Sequence, residues 1–111
     1  PYASEKALQW TADEGEYFQY CGYMMLARLL MQGNEMNERA ENELIDQALA
    51  ALQSEGALVC RGASTALRRY ASQCPENAKK LLKILRPLAD SGKPSLIALV
   101  EDIKLEAESL H

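Results

Sequence analysis

Imidazole is almost absent from this chain: its one histidine is the last residue, His111. That removes the commonest ligand of zinc and copper and the commonest general base. A Cys–His nucleophile would have to recruit a residue at the chain end, where order is poorest. Neither a Glu-x-x-His pair of the di-iron type nor a D-x-D-x-D-G calcium loop occurs. The cysteines, Cys21, Cys60 and Cys74, are odd in number and include no CxxC pair. No metal site and no cofactor are therefore expected. A reduced, cytoplasmic protein is the simplest reading of this cysteine usage, with Cys21 an inert core thiol in the apolar run around Tyr20 and Gly22. In an exported chain a Cys60–Cys74 bridge would be an alternative.

Strand formers are scarce as well. Valine occurs twice, at Val59 and Val100, isoleucine four times, and no run alternates apolar with polar residues. Phosphate loops of the strand–glycine–helix kind are excluded with the strands. No apolar stretch reaches the roughly 18 residues a membrane helix needs, so no membrane association is expected. The first residues carry neither a basic n-region nor an apolar h-region, although a leader removed before Pro1 would leave the same sequence.

What is present is helix-forming material: Ala, Leu, Glu, Lys and Gln dominate 111 residues that are 48% hydrophobic, enough for one core. Punctuation divides the chain into about five helices. The first segment spans about Ser4 to Gln32, as one long helix or as two with the weak point at Gly15, with Ser4 as cap and Gly33-Asn34 as its end. A second, about Asn37 to Ser54, has Asn34 or Asn37 as cap and Glu38, Glu41 and Glu43 beside its positive end. Gly56 suits its C′ position. A third, about Ala63 to Ser72, stops at Cys74-Pro75, because a residue before proline avoids the α region. Arg61-Gly62-Ala63-Ser64-Thr65 reads as its start, with Ser64 or Thr65 as cap; an anion site there is the alternative. Pro75 opens a fourth, which Pro87 should kink or loosen near its end. Ser91-Gly92 closes it, and Pro94 opens the fifth.

The expected fold is all-α: a single compact domain over residues 1–111, an up-and-down helical bundle. A weak internal repeat supports a second architecture. At a shift of 36 residues Ile45 matches Leu81, Leu49 matches Leu85, Gly56 matches Gly92, and Leu67 matches Ile103. In outline this unit resembles a HEAT-type helical hairpin, without any family-specific polar signature. The resemblance implies a short α-solenoid as the alternative fold.

Net charge is −4, unevenly spread. Residues 1–55 hold ten acids against three bases, residues 56–90 seven bases against two acids. The bases are Arg61, Arg68, Arg69, Lys79, Lys80, Lys83 and Arg86. Packing of basic against acidic helices explains the split without a ligand. The functional alternative is a nucleic-acid or other polyanion surface made by those seven residues, on which Tyr70 would stack a base. The acidic total opposes it.

The aromatic pattern points elsewhere. Three of five tyrosines fall in Tyr17-Phe18-Gln19-Tyr20-Cys21-Gly22-Tyr23-Met24-Met25. A helix so apolar has more rings than one core face can take. Tyrosine favours core margins and interfaces, methionine adapts to varied partners, and tryptophan anchors binding hot spots. Acidic pairs such as Asp13/Glu14 and Glu101/Asp102 have no nucleophile or base arranged around them. The expectation is a non-catalytic helical protein–protein interaction module, an adaptor, regulator or assembly subunit. Its partner-binding residues would be Trp10, Tyr17, Tyr20, Tyr23 and Met24, and its partner another protein or a second copy of the chain.

Overall fold

The computed structural model describes the backbone of residues 2–11, 15–33, 37–54, 56–90 and 92–109. The caps and pairs placed on Asn34, Asp13, Glu14 and His111 lie outside them. The described chain is all-α, with helices α1 (Tyr2–Thr11), α2 (Glu16–Met31), α3 (Glu38–Leu52), α4 (Ala57–Ser72), α5 (Pro75–Ala89) and α6 (Pro94–Ser109). Six helices replace the expected five because the long first segment divides at Gly15, which is extended (φ −84°, ψ 127°) and starts α2. Ser4 is a residue of α1 and not its cap.

The chain divides into two compact units, Pro1–Leu67 and Arg68–His111. In the first, α1 packs on α2 and α3. Its core contains Leu8, Tyr23, Leu26, Leu30, Leu44, Ile45, Leu52, Ala63 and Leu67. The expected cap of α3 is present: Asn37 Oδ1 accepts from the N–H of Ala40 at 2.8 Å. At the other end of α3, the Ser54 hydroxyl and the Cys60 thiol both donate to the carbonyl of Ala51, at 2.7 and 3.2 Å. They join the Ser54 N–H, 3.1 Å from the same oxygen, on a carbonyl of the helix's last turn. All three cysteines are free thiols.

The start of α4 differs most from expectation. It begins at Ala57, six residues before Ala63, and carries Arg61 to Thr65 through its interior. The Thr65 hydroxyl donates back to the Arg61 carbonyl at 2.9 Å, so neither Ser64 nor Thr65 is a cap and no helix start lies there to bind an anion. Glu16, on α2, supplies the cap instead. Its Oε1 accepts from the N–H groups of Leu58 and Val59 at 3.0 and 3.2 Å. A carboxylate placed there meets both orphan donors and the positive end of the helix dipole. Gly56 makes the approach possible, since a Cβ at that position would stand 2.6 Å from Glu16 Oε1. Gly56 thus serves the start of α4, its carbonyl accepting from Cys60 at 3.0 Å, and not the end of α3.

In the second unit α5 and α6 pack against each other around Leu81, Leu82, Leu85, Leu96, Leu99, Val100 and Ile103. Pro75 occupies the first turn of α5, behind an extended Cys74. Asn77 reaches back and donates to the Tyr70 carbonyl at 3.0 Å, closing the end of α4. Pro87 does not stop the helix, which continues to Ala89. Gly92 turns the chain at φ +87°, a left-handed conformation that suits glycine.

The internal repeat is visible in the element boundaries, with a period of 37 residues and not 36. From α3 to α5 and from α4 to α6, both ends of each helix shift by 37. Burial follows the same register, pairing Leu44 with Leu81, Ile45 with Leu82, Ala48 with Leu85, and Ala63 with Val100. The one-residue difference arises because broad apolar faces give similar matches at neighbouring shifts, whereas helix ends do not. Helices α2, α4 and α6 are each 16 residues long.

The Glu16 cap is testable by equilibrium denaturation. Glu16→Ala is expected to lower stability by about 1 kcal/mol, within the range for loss of an N-cap. Gly56→Ala, which displaces the same carboxylate, should cost at least as much. Once Glu16 is already alanine, Gly56→Ala should add less, because the clash has gone.

Candidate aromatic and methionine face of α2

Each residue of a helix turns about 100° from the one before. Tyr17, Tyr20 and Tyr23 are therefore spread around α2 and do not share one face. Gly22, Tyr23, Leu26, Ala27 and Leu30 form the buried side. That side meets α4 closely at Gly62, where a Cβ would lie 3.1 Å from both Tyr20 Cδ1 and Tyr23 Cβ. Glycine on α4 lets the tyrosine-bearing helix approach to this distance. Tyr23 is consequently a core residue, 1% exposed, and its ring is not available to a partner. Burial pushes its phenol up to about 12. Tyr20 is half-buried at the margin of the same contact.

The opposite side of α2 carries Tyr17, Cys21, Met24, Arg28 and Met31, spaced 4, 3, 4 and 3 residues apart. This is the spacing of a seam that meets another helix. Tyr17 is 66% exposed and Met31 64%; Met24 and Arg28 are exposed and Cys21 is half-buried. Cys21 is therefore not the core thiol expected. It sits one turn from Tyr17, and a side-chain hydrogen bond between them, followed by the charge of the thiolate, holds the Tyr17 phenol above its usual range.

Phe18 extends this surface toward α1. Its ring centroid lies 6.4 Å from that of Trp10 and 6.1 Å from that of Tyr17, both edge-on, at 69° and 72°. These are favourable geometries for aromatic pairs. Trp10 and Phe18 are nevertheless exposed, Phe18 by 51%. Of the expected partner-binding residues, Trp10, Tyr17 and Met24 lie on the surface, Tyr20 on its edge and Tyr23 beneath it. Phe18, Met31 and Arg28 were missed. The 4-3-4-3 spacing and Gly22, which marks the inward side, are the signals that point to Arg28 and Met31; Phe18 joins the surface through its ring contacts with Trp10 and Tyr17.

The basic residues are distributed differently. Arg61 is exposed on α4 within the first unit. In the second unit Lys79, Lys83 and Arg86 share one exposed face of α5, with Glu76 and Asp90 at its two ends, while Lys80 is half-buried and Arg69 exposed. Arg68 pairs with Asp102 at 3.5 Å. Tyr70 is 1% exposed, so it is not available to stack a base. Among the described residues no three Cys, His, Asp or Glu side chains gather as a metal site, and no helix is long and apolar enough to cross a membrane. A groove of about 280 Å³ beside α1 and α3 is lined by Leu8, Gln9, Asn37, Arg39, Ala40 and Glu43. Its charged members, Arg39 and Glu43, are exposed.

The fold and this surface define an all-α chain that presents an aromatic and methionine face on α2. Comparison with protein-family models, with characterised proteins and with solved structures finds no match.

The position of Tyr23 gives a pH prediction. Its phenol ionises near 10 when unfolded and near 12 in the folded chain. Between these values the unfolded state binds fewer protons, so stability falls as pH rises. The contribution is complete below pH 10 and is lost as pH climbs through 12. Tyr23→Phe should flatten the unfolding free energy over this interval, measured by denaturant titrations from neutral to alkaline pH.

Proposed function

We propose that the chain is a non-catalytic helical protein-interaction module that binds a protein partner, another protein or a second copy of the chain, through the outward face of α2. The observation that carries this reading is the continuous exposure of Trp10, Tyr17, Phe18, Met24 and Met31 on α1 and α2. Fully burying one such side chain is worth about 1.5–3 kcal/mol. A folded chain that leaves this many on neighbouring positions forgoes much of that stabilisation, and a partner that covers them recovers it. Tyrosine, tryptophan and methionine are also the side chains enriched at interface centres, where Arg28 adds a cation that can form bidentate contacts.

The test is affinity capture from a lysate with wild-type protein and the pair Tyr17→Ser and Met24→Ser as bait. Both positions are exposed, so circular dichroism and thermal unfolding should be nearly unchanged. Proteins retained by wild type and lost with the double variant support the reading. Identical recoveries with both baits, or none with either from a lysate that also contains untagged copies of the chain, overturn it.

A further inference from the structure

We infer that the partner of the α2 face is a second copy of this chain, and that it is met through a different surface, the outward face of α6. This rests on the reading of α2 as a binding surface and adds the identity of what it binds. Two observations lead to it. The large hydrophobic side chains left exposed among the described residues fall on α1, α2 and α6 alone: Trp10, Tyr17, Phe18, Met24, Met31, Ile97 and Leu105. Leu105 is 63% exposed although it stands in the middle of a well-formed helix. On α6, Ile97, Glu101, Leu105 and Glu108 make one exposed stripe at helical spacing.

The second observation is charge. The α2 seam is apolar with a single cation, Arg28, which forms no ion pair with any described residue. The α6 stripe is apolar with two anions, Glu101 and Glu108, of which Glu101 pairs with Lys104 at 3.5 Å on its own helix. Each stripe offers what the other needs. A symmetric contact of α2 with α2 does not: arranged parallel it opposes Arg28 to Arg28, and arranged antiparallel about Met24 it sets Arg28 against Tyr17 and Cys21 without an acid. The α2-to-α6 contact is heterologous. A pair joined in this way leaves one α2 face free on one copy and one α6 face free on the other, and growth continues unless the copies close into a ring. The stripes are comparable in length, about 21 Å from Tyr17 to Met31 and about 17 Å from Ile97 to Glu108 at 1.5 Å per residue.

The decisive experiment is sedimentation velocity on wild type, Met24→Glu, Leu105→Glu, and an equimolar mixture of the two variants. Both substitutions are at exposed positions, and circular dichroism would check that the helices persist. The expected result is a wild-type mass that rises with concentration past a dimer. Each variant alone should remain monomeric, because one of its two faces is disabled. The mixture should form a two-copy complex that grows no further, joining the intact α2 of one variant to the intact α6 of the other. Arg28→Glu should weaken wild-type association and be rescued by mixing with Glu108→Lys. A Leu105→Glu protein that still dimerises alone would assign the contact to α2 with α2 and overturn the inference. Monomers under every condition would also overturn it, and then continued lysate capture by wild type but not by Tyr17→Ser/Met24→Ser would show that the α2 face serves a different protein.

Discussion

The carboxylate of Glu16 crosses 42 residues of sequence to receive the N–H groups of Leu58 and Val59. Through it the first turn of α2 fixes the first turn of α4, and the rest of the first unit follows. Once α4 starts at Ala57, Cys60 falls where its thiol can close the end of α3. Gly62 falls opposite Tyr20 and Tyr23. The two glycines have separate tasks in this arrangement, Gly56 admitting the carboxylate and Gly62 admitting the tyrosines. Neither task calls for unusual backbone angles; both depend on the missing Cβ. The interaction is also directional. A carboxylate at a helix start is favoured by the orphan donors and by the dipole together, whereas the same group at a helix end would be opposed by both.

That constraint sets the orientation of α2 about its own axis. With Tyr23, Leu26 and Leu30 committed to the core, the row Tyr17–Cys21–Met24–Arg28–Met31 has to face outward, since it lies on the far side of the helix. The helix is too apolar for one core face to absorb. The residues left over are large, adaptable and aligned, which is the composition of an interface centre and not of an ordinary solvated helix face. The aromatic contacts of Phe18 with Trp10 and Tyr17 keep these rings together while leaving them accessible.

Much of this was legible in the sequence where the signal is local. Gly15, Asn37, Pro75 and Pro94 mark real boundaries because a cap, a break or a fixed φ acts within a few residues. The start of α4 was not legible for the opposite reason: its cap belongs to another helix, and Gly56 alone looks like a helix end. Assigning Ser64 or Thr65 as cap followed a sound local rule, but a distant carboxylate supplied the same hydrogen bonds earlier in the chain. The Tyr/Met segment was recognised as exceeding one core, yet Tyr23 was grouped with Tyr17 because spacings of three look alike in a short window. Rotation of 240° separates them, and only the packing against Gly62 decides which goes inward. On α4 helical spacing does place Tyr70 on the inward row with Ala63, Leu67 and Ala71, so its adjacency in sequence to Arg68 and Arg69 does not bring it to their side.

Helices α2, α4 and α6 have equal length, and each buries one side. They differ on the other side. On α4 it is polar or cationic, with Arg61 and Arg69 exposed and Ser64, Thr65 and Arg68 partly so. On α2 it is aromatic and methionine-rich, and on α6 aliphatic and acidic. Burial constrains the inward side of all three alike, so the outward side is where such helices are free to diverge. Apolar residues there lower solubility and contribute little to the fold of a single copy, so packing within the chain does not account for Tyr17, Met31 or Leu105. The association we propose would cover them, and the opposite charges on the two apolar stripes supply a reason for one to meet the other in preference to itself.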